Sequence, residues 1–442
     1  MQRIRGILLA VLLLMTAFLS SALAGEAGLK YDLALEFSED RAAVSVNGKY
    51  GYVDSTGKMV IAPVYDFTWG FYEGMAYVKK NGKWGFIGKD GQEIVDFKYD
   101  YVSYFSEGLS YVRVGDKYGY IDKTGREVVP LVYEDAGIMM NGSGPVKQNG
   151  KWGVVDPNGQ VIVGPKYDEV SQWGFFEGFV AVKQNSKWGF VDKSGKEITR
   201  QLYDKVGVFR EGMAPVSRNG KWGYIDRSGR EIITVRYDDL YSIGDGRIGV
   251  LKNGKWGFLD KKGRMVIDNK YDNAKGFSEG RAAVSIAGKW GFIDIDGQII
   301  IPPVYEDCAN FSEGLAAVKR SGKWGYIDEY GEEVTPPAYD EARDLYNGYA
   351  WVALSGKWGY INKYGRLILA PRYEENNRFS GGLAAVKLNG RWGYVNEAGR
   401  EFIEPIYDEV KKFSDAFAPV CLNGKWGFIG LHSEVVPWSQ AD

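Results

Sequence analysis

The chain has one histidine, His432, and two cysteines, Cys308 and Cys421, in 442 residues. A lone histidine cannot supply a Ser-His-Asp triad or a multi-histidine metal site, so those chemistries are excluded at the outset. The cysteines stand 113 positions apart at different places of the sequence pattern, and no disulfide framework follows from them. No glycine-rich phosphate loop opens a helix, and no helix is expected after residue 25, which removes the usual nucleotide site. Charge of one sign is also missing: 55 basic residues face 57 acidic ones, without the basic patches that nucleic acid or anionic membranes require. Neither a cofactor nor a metal site is indicated.

Long apolar runs are confined to the start. Arg3 and Arg5, the apolar stretch 7–19 and Ala22-Leu23-Ala24 form the three regions of a cleavable export signal, so 1–24 is assigned to it and 25–30 to a short linker. Cleavage takes two positive charges from a formal −2, leaving −4 and no transmembrane segment. The expected product is secreted, periplasmic or held at the cell surface.

Self-similarity dominates what remains. The glycine after each Trp (Tyr in two copies) falls at Gly51, Gly85, Gly119, Gly153, Gly189, Gly223, Gly257, Gly291, Gly325, Gly359, Gly393 and Gly427, in steps of 34 except for one of 36 between Gly153 and Gly189. That exception is a two-residue insertion around 172–175, and the register recovers at once, as it does when an insertion lies in a loop. Twelve units run over 31–437, followed by a tail at 438–442.

Within a unit, Ala-Ala-Val-x and Lys-Trp-Gly-Phe-Ile-Asp read as short strands joined by Asn-Gly or Ser-Gly turns such as Asn81-Gly82 and Ser321-Gly322, which gives a hairpin. An Asp-x-x-Gly turn (Asp122 to Gly125, Asp260 to Gly263) leads to a third strand, which proline two places before a tyrosine (Pro63, Pro165, Pro303, Pro371, Pro405) is expected to end. Pairing about Ser321-Gly322 sets Val318 opposite Gly325 and Ala316 opposite Ile327 on one face, with Lys319 opposite Trp324 and Ala317 opposite Tyr326 on the other. Both faces are partly apolar. So small a unit cannot bury two faces alone, and each must stack on the copies before and after it.

Ten tryptophans at equivalent positions, Trp84, Trp152, Trp188, Trp222, Trp256, Trp290, Trp324, Trp358, Trp392 and Trp426, are assigned as structural anchors threading this shared interior, with Tyr50 and Tyr118 in the other two copies. The fold class is all-β: a tandem array of twelve antiparallel hairpin or three-strand units. Because whole units fill 31–437 with no strand left over, an open superhelical, solenoid-like stack is expected, with one or two β-propellers as the alternative.

The recurrence of Lys-Trp-Gly-(Phe/Tyr)-Ile-Asp, x-x-Gly-x-Glu-Val-Ile and Tyr-Asp…Phe-Ser-Glu-Gly-Leu-Ala-Ala-Val resembles the bacterial WG-repeat, or KWG-repeat, proteins over nearly all of the mature chain. The resemblance implies an exported or surface-associated interaction protein and names no ligand. The chain departs from the pattern at Tyr50, Tyr118, Gly88, Gly430 and 139–144.

Three carboxylate ladders recur: Asp after Tyr (Asp66, Asp100, Asp272), the turn Asp (Asp54, Asp122, Asp260) and Glu before Gly (Glu73, Glu107, Glu279). Calcium ligation or a glycosidase pair would use such acids. Presence in every unit points instead to capping of backbone N–H groups. Ligand contact is assigned to residues that break the pattern: Trp69, Tyr72, Trp173 in the inserted loop, and Trp351. The expected function is a non-catalytic scaffold, not an enzyme, binding a protein partner at the bacterial cell envelope or outside the cell. The alternative is a carbohydrate or cell-wall glycan module using the off-pattern aromatics.

Overall fold

The structure is a computed structural model that describes residues 29–431. The export-signal residues, the start of the linker, His432 and Trp438 lie outside the described residues. No helix among the described residues is long and apolar enough to cross a membrane.

Every copy of the repeat makes one small antiparallel sheet, giving twelve sheets in chain order: eleven of four strands and a last one of three among the described residues. We number the copies 1 to 12 accordingly. Copy 8 is representative, with strands Asn273–Ala274, Arg281–Ile286, Lys289–Asp294 and Ile299–Tyr305 hydrogen-bonded in that order. The central hairpin has the register read from sequence: Val318 pairs Gly325, Ala316 pairs Ile327, Lys319 pairs Trp324 and Ala317 pairs Tyr326. Asn81 and Gly82, with φ of 52° and 82°, make the mirror-image turn that matches strand twist.

Two local expectations are corrected. The Tyr-Asp segment contributes a further first strand, only two residues long in most copies, so the units have four strands and not three. The fourth strand also does not stop at proline; Ile299–Tyr305 runs through Pro302 and Pro303. Proline is tolerated because this strand is at the sheet edge and bulges there: Trp290 pairs Tyr305 and Phe292 pairs Ile301, so three residues oppose Gly291 alone.

That bulge explains the glycine of Trp-Gly. A Cβ on Gly291 would stand 2.4 Å from the Ile301 carbonyl oxygen and 2.6 Å from Pro303 N. The same backbone approach, 2.2–2.8 Å, recurs at eleven of these glycines. Sterics select the residue here, since Gly291 has an ordinary negative φ.

Each sheet uses both faces, as the hairpin pattern requires. Ala282, Val284 and Ile293 of copy 8 pack with Phe258, Ile267 and Tyr271 of copy 7. Ala283, Phe292 and Ile301 of the same sheet pack with Phe311, Val318 and Ile327 of copy 9. Edge-to-face ring pairs recur at these joints, Phe258 with Phe277 and Phe292 with Phe311, both with centroids 4.9 Å apart. The indoles carry less of this interior than expected. Trp256 and Trp426 are buried, at 6% and 7% exposure, whereas the other eight anchors are half-buried. The most buried side chains are their neighbours, such as Phe258, Phe292, Ile293 and Tyr271.

By contacts the chain forms two units, one of Met1–Gly115, Ile121–Arg126 and Tyr373–Asp442, the other of Asp116–Tyr120 and Glu127–Arg372. The first unit contains both chain ends, and there the open stack is contradicted. Copy 12 packs on copy 1: Trp426 and Phe428 join Ala34, Phe37, Val44 and Val53 in one core cluster. The Phe428–Phe37 ring pair, with centroids 5.1 Å apart, repeats the joint between consecutive copies. Tyr31 N donates to Trp426 O at 3.1 Å and Trp426 N to Tyr31 O at 2.8 Å. Tyr31 therefore sits against Trp426 as Tyr407 sits against Trp392, and a residue from the N-terminal end takes a fourth-strand place in the last sheet. This sharing between ends belongs to the propeller alternative. It escaped sequence reasoning because Tyr31 also begins copy 1.

Candidate binding surface

The recurrent polar residues join the copies. The Asp after Tyr accepts from the Lys of the preceding copy's Lys-Trp-Gly and from its own hairpin turn: Asp66 from Lys49 Nζ at 2.5 Å and from Gly82 N at 3.2 Å. The Lys255–Asp272, Lys221–Asp238 and Lys187–Asp204 pairs repeat it, and Lys425–Asp32, at 2.7 Å, repeats it between copies 12 and 1. The lysine hydrogen bond, followed by the turn N–H, holds Asp272 below the usual carboxylate range. The turn Asp closes its own loop: Asp54 Oδ1 accepts from Thr56 N at 2.9 Å and from Lys58 N at 3.1 Å. The Glu before Gly caps the next copy, Glu279 Oε2 accepting from Gly314 N at 2.9 Å, and Glu39, which precedes Asp40 at the same place in copy 1, accepts through Oε2 from Gly74 N at 2.9 Å. Asp415 does the same for Asp40 N, at 3.3 Å. All three ladders are thus engaged within the chain. Among the described residues no group of three His, Cys, Asp or Glu side chains is placed to hold a metal ion.

What stays uncommitted is narrower. After the start of the first strand of each sheet come two variable residues, an apolar residue and, in six copies, Ser; they form a loop to the second strand except in copy 1, where they lie within the strand Leu33–Ser38. The apolar residue enters the joint between copies, and the serine is spent on the next loop, Ser38 Oγ donating to Phe71 O at 2.6 Å and Ser414 Oγ to Phe37 O at 2.7 Å. The two variable positions read Leu35-Glu36, Trp69-Gly70 and Lys411-Lys412 in adjacent copies of the first unit.

Each unit has a groove along this loop. In the first, Trp69 and Tyr72 line a groove of about 480 Å³ together with Glu36, Lys411 and Lys412. Trp69 is 48% exposed and Tyr72 45%, with the Tyr72 ring 5.4 Å from that of Tyr104. Lys412 pairs with Glu36 at 3.4 Å. Lys411 is held more firmly, its Nζ donating to Ala34 O at 3.0 Å and lying 5.1 Å from the Trp426 ring. Burial lowers the Lys411 pKa against the opposing pull of Glu36 and Glu409. In the second unit, Trp173, Trp188, Trp222, Gln172 and Lys205 line a groove of about 690 Å³. Trp173 is 64% exposed, while its loop is fastened by Asn141 Nδ2 donating to Trp173 O at 3.1 Å. Gly174 permits that fit: with φ +70°, a Cβ there would stand 2.0 Å from Met140 O.

Three of the four expected contact residues therefore stand at grooves. Trp351 is a correction: at 4% exposure it fills the interior, edge-on to Tyr360 at 5.2 Å. It occupies the place of Ala317 in the Ala-Ala-Val strand, and a strand position outweighs an unusual residue type. Sequence reasoning passed over Glu36, Lys411, Lys412 and Gln172. Aligning the copies on Gly-Phe-Ser and asking which columns vary would have exposed them.

A frame of recurrent polar joints carrying grooves lined by its variable residues defines a class of protein, the all-β tandem-repeat protein. Within that class the chain belongs to the WG containing repeat family, whose model matches twelve consecutive segments from 28–50 and 50–84 to 358–392 and 392–426. No curated protein matches the chain. Among solved structures, a eukaryotic initiation factor is similar at 11% identity and TM-score 0.36, over 67% of this chain and 96% of that one. The extracellular domain of a hybrid two-component system protein from B. thetaiotaomicron is similar at 8% identity and TM-score 0.22, over 88% and 67%. PorZ, a surface component of the type-IX secretion system of Porphyromonas gingivalis, is similar at 10% identity and TM-score 0.22, over 93% and 73%. Likenesses at these scores transfer no function to this chain.

Proposed function

We propose that this chain is an exported, non-catalytic scaffold that holds a protein partner at the bacterial cell envelope or outside the cell, on the variable loops of successive copies. One observation carries the reading. The recurrent polar side chains are consumed in joining copies, while Trp69, Tyr72, Trp173 and the charged residues beside them line grooves at a loop whose sequence changes from copy to copy. Exposed indoles beside adaptable polar groups are the usual anchors of protein contacts. A catalytic role receives no support from carboxylates such as Asp66, Glu177 and Glu197, which hydrogen bonds from Lys49, Arg227 and Tyr167 hold below the usual range, where a general acid needs the reverse. Export rests on the residues of 1–24.

A glycan is the second reading, favoured by the two exposed indoles Trp69 and Trp173, each in a groove. Photo-crosslinking in the native envelope, with the reactive residue at position 69 or 173, separates the two. Discrete protein adducts are expected at one or both positions. Absence of adducts, together with saturable binding on glycan or peptidoglycan arrays lost in Trp69→Ala and Trp173→Ala, would overturn the protein reading.

A further inference from the structure

Nine of the ten anchor indoles have a cation or ring supplied by their own copy. In five copies it is the lysine directly across the hairpin: Lys79 over Trp84, Lys147 over Trp152, Lys183 over Trp188, Lys319 over Trp324 and Lys387 over Trp392, at 5.5–5.9 Å. Where the cross-strand residue is something else, the first residue of the variable loop takes its place. Leu251 faces Trp256, and Tyr241 stacks on that indole at 4.4 Å. Ser285 faces Trp290, and Lys275 lies 5.4 Å from it. Ala353 faces Trp358 and Cys421 faces Trp426, and these are met by Arg343 at 4.4 Å and Lys411 at 5.1 Å.

Copy 6 has neither device. Ser217 stands opposite Trp222, and the loop residue is Gly207. Among the described residues Trp222 is the one anchor indole with no cation or ring against it. The vacancy is built in: a Cβ on Gly207 would meet Pro215 Cγ at 2.6 Å, so the position does not accept a side chain without displacing that ring. Trp222 borders the 690 Å³ groove that also holds the exposed Trp173 of the inserted loop. Glu169, paired with Lys183 at 2.6 Å, and Lys205 stand on the rim of the same groove.

We propose that the groove at Trp222 receives an arginine or lysine side chain of a partner polypeptide, which takes the place that Arg343, Lys275 and Lys411 take over the indoles of their own copies. The attraction is that of a cation for the face of an indole, best satisfied by a planar guanidinium stacked on it. The inference rests on the reading that the partner is a protein, and it names the residue type that the partner brings to this groove.

The test follows the indole N–H resonances of the full chain, with Trp222 assigned through Trp222→Phe. The probes are the capped tripeptides Gly-Arg-Gly and Gly-Lys-Gly, and Gly-citrulline-Gly as the neutral isostere. A saturable shift at Trp222 is expected for the two cationic peptides, with citrulline weaker by about tenfold. Ser217→Lys restores the internal cover without removing the indole and should abolish the response while leaving the melting temperature intact. Lys205→Glu should tighten it. Equal binding of the citrulline peptide, a response that survives Ser217→Lys, no shift with any peptide, or a shift produced by a disaccharide instead would overturn the proposal. The scaffold reading is judged separately by the cross-links at 69 and 173.

Discussion

Replacing Gly291 by alanine isolates the reason for the Trp-Gly signature. The new methyl would meet three backbone atoms of the bulged edge strand, Ile301 O at 2.4 Å, Pro303 N at 2.6 Å and Pro302 C at 2.7 Å. Backbone cannot swing aside as a side chain does, so the strain falls at the upper end of the roughly 1–3 kcal/mol typical of overpacking. Alanine recovers about 0.5–1 kcal/mol by restricting the unfolded chain. The net loss is therefore about 2 kcal/mol. Two glycines of the same copy supply the controls. Gly288 has open space but a φ of 78°, so Gly288→Ala costs about 1–2 kcal/mol from backbone strain alone. Gly276 has open space and no positive φ, so Gly276→Ala is neutral or stabilises by about 0.5 kcal/mol. Urea unfolding of the full chain, followed by far-UV circular dichroism, orders the three. If Gly291→Ala proved as benign as Gly276→Ala, the steric account of the motif would be wrong.

Other consequences follow from the joints and the grooves. Trp351→Ala should cost about 3–5 kcal/mol, as removal of a large buried ring does, whereas Trp173→Ala should change stability by less than about 0.5 kcal/mol; paired melts distinguish them. The joint aspartates, Asp272 and Asp238 among them, have folded pKa values below their unfolded ones, chiefly through the lysine hydrogen bond. Their stabilisation is thus complete above the ordinary Asp pKa of about 4 and is lost as pH falls through the folded values. At Asp226 desolvation is outweighed by hydrogen bonds from Ser228 and Arg230, which hold its pKa at about 2, so the decline should continue to that pH. Melting temperatures from pH 7 to 2 at fixed ionic strength should fall below pH 4, less steeply in Asp272→Asn, and a flat profile through pH 3 would contradict the assignment.

Hairpin register was fully legible, because a two-residue Ser-Gly or Asn-Gly turn leaves no freedom in pairing once the glycine positions are fixed. The need for each sheet to stack on both sides was equally plain from Ala-Ala-Val against Gly-Phe-Ile. The first strand was not, since pairs such as Asn273–Ala274 and Glu375–Asn376 have no strand pattern and are held by the neighbouring strand alone. Proline misled at Pro303 because its position at a bulged sheet edge cannot be seen in one dimension. The terminal joint was hidden for a related reason: Tyr31 serves copy 1 and copy 12 at once, and sequence periodicity counts it only once. Of the binding surface, the exposed Trp69, Tyr72 and Trp173 were recognisable as breaks in the pattern. Trp351 broke the pattern equally but at an inward strand position, and Lys411, Lys412 and Glu36 looked like ordinary solvated charges until the structure set them beside an indole.

The joint between the first and last copies is tested most directly by a distance. Asp40 and Asp415 are both exposed and lie at that joint, so spin labels at the two positions should give a dipolar distance below about 25 Å, two label arms across a single hydrogen bond. In an open stack of twelve sheets at about 10 Å spacing the same labels would stand about 110 Å apart. A short, narrow distribution is the expected result, and a distance beyond the range of the method would contradict it.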